Sequence, residues 1–157
     1  MKAEFINPFL HATKNVIETM AQTPVNAQKP ALKEGKTSYG EVTGIIGMTS
    51  EEITGSMIVS FTEKCILSIV ANMLMEDPKA KIDAEVVDAV GELTNMICGG
   101  AKAQLAKIDH KFDLATPTMV VGKGVEISYY SEAPTIVIPF DTAAGSFVVE
   151  ANLGPRR

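Results

Sequence analysis

The sequence predicts an α+β sandwich, with long helices packed on one face of a mostly antiparallel sheet. Three observations carry that expectation. Three segments show apolar residues at helical spacing, the runs rich in Val, Ile and Thr are grouped rather than alternating with helices, and short turns rich in Gly, Ser and Ala separate them. The 157 residues amount to about one domain's worth of chain, and 46% apolar residues supply a sizeable core. A single domain over residues 1–157 is expected.

Asn7 followed by Pro8 reads as a helix start, with Asn7 as N-cap and Pro8 in the first turn, where its missing donor costs nothing. Leu10, Val16, Ile17 and Met20 then recur at helical spacing to about Gln22. Residues 23–37 carry two prolines, a glycine and four charges, and predict an irregular connector with at most a short edge strand. Tyr39–Met48 and Ile53–Phe61 form a hairpin pattern around a Thr-Ser-Glu-Glu turn. Thr62 is expected to cap a second helix, with Glu63 in its first turn and Pro78 ending it. Asp83 is a suitable cap for a long third helix from about Ala84 to Ile108.

Four further strands are expected at 117–121, 125–130, 134–140 and 145–151, with Gly122-Lys123-Gly124 as a hairpin turn. A helix followed by strands thus occurs twice, a hint of weak internal duplication without a clear residue repeat.

Fourteen Lys and Arg against nineteen Asp and Glu give a net charge of -5, so no basic field exists to recruit nucleic acid or an anionic membrane. Cys65 and Cys98 are isolated, and His11 and His110 have no partner at metal-ligand or catalytic spacing. Both histidines read as surface or packing residues, and the eight methionines, among them Met73, Met75 and Met96, as core filler. The longest nearly apolar run, Cys65–Met75, is too short to cross a bilayer, and no secretory segment is expected, since Asn7-Pro8 and His11 interrupt any apolar run near the start. A reduced, cytoplasmic setting is expected.

On a wheel at about 100° per residue, Val86, Val90, Leu93, Ile97, Ala101, Leu105 and Ile108 of the third helix share one face. Asp88, Glu92, Asn95 and Gly99 fall on the opposite face. Solvation alone selects exposed acids there, but Asn is a mediocre helix former, and Gly99-Gly100 costs about 1 kcal/mol per glycine against alanine. Such glycines are tolerated where another backbone or a partner comes close. A carboxylate can pair with a cation and a carboxamide can orient water, yet neither is a strong nucleophile alone. Phosphoryl transfer, with its loose transition state, suits a pair whose partner brings the remaining chemistry.

The stretch from Asp88 through Glu92 and Asn95 to Gly99, with Pro117 some twenty residues on, resembles the signature of the CheC/CheX family of chemotaxis phosphatases. Ile6-Asn7-Pro8-Phe9-Leu10, Gly55-Ser56-Met57-Ile58 and Phe147-Val148-Val149 extend the likeness over nearly the whole chain. The resemblance implies a CheC-like two-layer sandwich and dephosphorylation of the aspartyl phosphate of a CheY-like response regulator. By position, Asn95 is expected to orient the attacking water and Glu92 to pair with the regulator's lysine, while Asp88, Gly99 and Lys102 contact the partner. Mg²⁺ and the lysine belong to the regulator, so the chain needs no cofactor of its own.

CheC-type members carry two such motifs. Glu4 and Asn7 match the spacing, but with Asn7 as cap and Pro8 after it they are not expected to share a helix face. A single motif fits the CheX branch, whose members form homodimers, and a homodimer is expected. The rival reading is a non-catalytic module that sequesters a regulator or scaffolds another signalling protein. A small-molecule hydrolase is disfavoured, because the sequence offers no nucleophile or glycine-rich cradle.

Overall fold

The computed structural model describes residues 3–156. Its helices are α1 (Ala3–Met20), α2 (Glu63–Leu74) and α3 (Ala84–Ala106). The strands are β1 (Asn26–Ala27), β2 (Ala31–Leu32), β3 (Val42–Thr49), β4 (Ile53–Phe61), β5 (Asp113–Leu114), β6 (Thr118–Val121), β7 (Ile136–Thr142) and β8 (Gly145–Pro155). All eight join one antiparallel sheet in the order β1-β7-β8-β4-β3-β5, with β2 also paired to β7 and β6 to β3.

Side chains alternate across this sheet, and one set meets the helices. Met57, Val59 and Phe61 of β4 with Phe147 and Val149 of β8 are buried under Phe9 and Ile17 of α1 and Leu93 and Ile97 of α3. Phe147 stacks between Phe61 and Phe140, with ring centroids 4.9 and 5.0 Å away. Each such side chain contributes about 1.5–3 kcal/mol by leaving water, so this layer fixes where the helices lie.

The opposite face is polar but also buried. Glu150 is fully buried, accepting from Lys33 Nζ at 2.9 Å and the Tyr129 hydroxyl at 2.8 Å. Asn152 accepts from the Ser131 amide and donates to Ala133 O and Thr135 Oγ1. Irregular segments before β3 and after β6 therefore cover this face.

The sheet order is a palindrome, and its registers repeat residue by residue. A shift of 92 residues carries Gly44↔Val59 onto Ile136↔Ala151 and Thr49↔Thr54 onto Asp141↔Ser146. The flanking strands follow with a shift of 87, so that Asn26↔Asp141 answers to Asp113↔Thr49 and Ala31↔Val137 to Thr118↔Ile45. The chain is internally duplicated about a pseudo-twofold axis through the Ile58↔Glu150 pair at the sheet centre.

Several elements differ from the sequence expectation. Helix α1 begins at Ala3, so Asn7 is not its N-cap and Pro8 lies inside it. Phe5 and Ile6 pack against the core, with the Phe5 ring 4.7 Å from His110, and this burial offsets the hydrogen bond that Pro8 cannot donate. Thr62 makes no side-chain cap, because its hydroxyl donates to Ser146 O, and the Glu63 amide donates instead to Glu41. Helix α2 stops before Pro78, where Met75 turns left-handed at φ 56° and stands exposed rather than in the core.

Asp83 does cap α3, accepting from the Val86 amide at 3.0 Å. That helix ends at Ala106, which leaves Ile108 exposed instead of on the core face. No strand forms at 125–130, and Gly122-Lys123-Gly124 is not a hairpin turn. The chain leaves the sheet there and crosses its polar face, held by Ser38 on the Val125 amide and by Tyr129 on Glu150.

Candidate functional site

Helix α3 presents one face to the sheet and the other to solvent, and its rotation about its own axis decides which residues a partner can reach. Two contacts set that rotation. Thr94 is fully buried, its hydroxyl donating to Val90 O at 2.7 Å on the sheet side. Beneath it lies Gly44 of β3, where any Cβ would run into the Thr94 side chain. Glycine here permits close helix–sheet approach. On the flank, a Cβ on Gly91 would meet Met119 of β6 at 3.5 Å, so the strand after Pro117 lies beside the same turn.

With Thr94 pinned inward, Asp88, Glu92 and Asn95 are exposed, while Gly99 and Lys102 are half-buried on the same helix. Glu92 and Asn95 are one turn apart, and Gly99 and Lys102 continue the stripe toward the C-terminus. Neither Glu92 nor Asn95 takes a side-chain hydrogen bond or ion-pair partner among the described residues. Their polar atoms face water, ready for an external group. Both side chains stand on the solvent face of α3, so a ligand that meets them supplies the opposite wall of the contact itself.

The two glycines separate by role. A Cβ on Gly100 would come within 3.1 Å of Ala12 Cβ, so Gly100 lets α1 and α3 approach. Gly99 has nothing within 4 Å of its Cβ position, so internal packing does not account for it. Cys98 lies on the buried side, where burial pushes its thiol up to about 12 against the opposing charge of Lys102, and Cys65 rises to about 11 for the same first cause. Both thiols are inert as nucleophiles.

Sequence reasoning placed the stripe but missed Gly44 and Thr94, which aim it. A glycine inside the apolar β3 run and a threonine on the apolar face of α3 were the available signals. The reading of Glu4 and Asn7 needs correction, since both stand exposed on α1, one turn apart. His11 is exposed on the same helix, and His110 packs on Phe5.

The family model for the chemotaxis phosphatase CheX matches residues 42–141. The solved chemotaxis protein CheX from Vibrio vulnificus is 42% identical, with 97% of this chain and 100% of that one covered at a TM-score of 0.90. The CheY-P phosphatase CheX of Thermotoga maritima is 25% identical over 130 residues, 83% of each chain. A CheX–CheY–BeF₃–Mg²⁺ complex from Borrelia burgdorferi shares the fold at a TM-score of 0.78 and 24% identity, covering 98% of both chains. The matched segment contains β3, β4, α3 and the whole polar stripe, and with the full-length likeness to the Vibrio structure it shows that the chain belongs to the CheX family of chemotaxis phosphatases.

Proposed function

We propose that this chain hydrolyses the aspartyl phosphate of a CheY-like response regulator, by adding the outer face of α3 to the regulator's own active site. The observation that carries the reading is the unpartnered Glu92–Asn95 pair, exposed on a helix whose rotation is fixed from behind by Thr94 over Gly44. The names of its relatives point to the same substrate class.

Asn95 has a donor and an acceptor on one planar group, which suits it to hold water in line with the phosphorus. The water oxygen bonds to phosphorus as the bond to the aspartyl oxygen breaks. The electron pair stays on the carboxylate, and both water hydrogens leave with dihydrogen phosphate. Glu92 pairs with the regulator's active-site lysine, positioning the two proteins. Asp88 and Lys102 flank the contact, and Gly99 leaves room for the approaching surface. Mg²⁺ belongs to the regulator's site, where it neutralises charge on the phosphoryl group.

The test is Asn95→Ala, followed by phosphate release in a single turnover of a phosphorylated regulator. Asn95 is exposed and alanine is the better helix former, so stability is expected to hold or rise. Hydrolysis is expected to fall about a hundredfold, equivalent to about 2.7 kcal/mol of lost transition-state stabilisation. Release at the wild-type rate would refute catalysis by this helix and leave the chain as a regulator-binding module.

A further inference from the structure

Charge along α3 is divided by Asn95. The acids of the helix, Glu85, Asp88 and Glu92, all precede it, and the single cation of the helix, Lys102, follows. Asn95, Gly99 and Lys102 stand at i, i+4 and i+7 on one stripe, with Lys102 about 10 Å beyond Asn95 at about 1.5 Å of axial rise per residue. Between them, the space above Gly99 is empty to 4 Å. Helical side chains lean toward the N-terminus, so the four-carbon stem of Lys102 can carry its ammonium over this notch, with the Asn95 carboxamide at the far end.

Nothing within the fold accounts for a cation at this position. Lys102 is half-buried, yet the ion pairs among the described residues engage Lys33 and Lys79, and Lys102 takes no hydrogen bond there. The helix dipole acts within the last turn, which holds no basic residue, and Lys107 already stands at the C-cap. The Lys102 charge is felt locally, where it counters the burial that raises the Cys98 thiol. In a chain of net charge -5, an unopposed cation beside the proposed water-orienting amide is suited to an anionic group brought by the partner.

We infer that Lys102 is a specificity-determining residue, which binds the phosphoryl oxygens of the docked regulator across the notch above Gly99 and thereby distinguishes the phosphorylated regulator from the spent one. The inference rests on the proposed role of α3 and adds to it how the product is let go. The water oxygen bonds to phosphorus, the aspartyl oxygen departs with the electron pair, and the phosphoryl group leaves as dihydrogen phosphate. With it go the acceptors for Lys102. Glu92 keeps its pairing with the regulator's lysine in both forms, so Glu92 recognises the protein and Lys102 recognises its state.

Calorimetry tests this with a receiver domain in Mg²⁺ alone and with the same domain carrying BeF₃⁻, whose fluorides stand in for the phosphoryl oxygens. Lys102→Gln is expected to weaken binding of the loaded form about tenfold and of the unloaded form less than about twofold, the size of one charge-assisted contact. Lys102→Arg keeps the charge and is expected to restore most of the preference. In steady-state phosphate release, the loss in Lys102→Gln is expected to fall on KM more than on kcat. Equal weakening of both forms would make Lys102 a general docking contact, and no weakening of either would leave it without a role; each result overturns the inference while the α3 site stands. Asn95→Ala tests that site separately, since hydrolysis at the wild-type rate by this variant would refute the reading on which the inference rests. Urea midpoints confirm that each variant is folded.

Discussion

Replacing Gly44 by alanine tests whether the grip of β3 on α3 aims the site. The added Cβ would sit 3.1 Å from Thr94 Cβ and 3.2 Å from Thr94 Cγ2, closer still to the hydroxyl, with no exposed direction for Thr94 to escape. Overpacking of this kind costs about 1–3 kcal/mol, and the reduced freedom of the unfolded chain returns about 0.5–1 kcal/mol. A net loss of about 1–2 kcal/mol is expected for Gly44→Ala. Thr94→Ala alone costs about 1 kcal/mol, because the small cavity it opens exceeds the gain in helix propensity. In the double variant the new methyl occupies the space vacated by threonine, and the double is expected to be more stable than the sum of the singles by about 1–2 kcal/mol. Urea midpoints measure the cycle, and phosphate release measured at a denaturant-free temperature where each variant is folded shows whether α3 still presents its stripe correctly. Gly44→Ala is expected to slow release by roughly tenfold, by the logic that a displacement of about 1 Å is costly in a positioned site. Additive stabilities would mean that Thr94 does not sit against Gly44, and the account of how the helix is oriented would fall.

Other consequences are directly measurable. Glu92→Ala is expected to weaken docking as well as turnover, with the docking loss shrinking at high salt because the lost attraction is screened; titration of the regulator at two ionic strengths reads this, and a salt-independent loss would exclude the ion pair. Glu150→Ala leaves the Lys33 ammonium without its buried partner and is expected to cost about 3–5 kcal/mol in chemical denaturation, whereas a change below 1 kcal/mol would mean water reaches that site. We also propose a homodimer formed through an edge of the sheet, where Val121 of β6 is exposed; light scattering at micromolar concentration should give twice the 16.8 kDa chain mass, and the monomer mass would exclude it.

What the sequence revealed divides along local and non-local lines. The exposed stripe of α3 follows from helical periodicity alone, and so does its cap at Asp83. The hairpin of β3 and β4 was legible because only Ser50, Glu51 and Glu52 separate its two strands, which adjoin. Helix α1 was misjudged at its start because Asn7-Pro8 is a strong local signal, and what overrides it is burial of Phe5 and Ile6 against residues about a hundred positions away. The segment after Gly122 has the composition of a strand, yet its Val125 and Ser131 amides and its Tyr129 hydroxyl are spent on Ser38, Asn152 and Glu150 across the sheet's polar face. Partners so distant in sequence leave no mark on the local pattern. The suggested duplication proved far more regular in pairing than in residues, since backbone registers persist while side chains diverge.

That regularity has a consequence for how the halves recognise each other. On the axis the two related positions, Ile58 and Glu150, have become unlike, and the lysine that neutralises Glu150 comes from the other half of the chain. Were two C-terminal halves from different molecules to pair in this register, their Glu150 carboxylates would lie directly opposite, buried, and without Lys33. Two N-terminal halves would meet through Ile58 instead, with no charge to oppose them. The buried acid thus acts as a lock against self-pairing of one half and leaves the other unguarded, so the nascent N-terminal half is the species most exposed to wrong association until β8 arrives to cover β4.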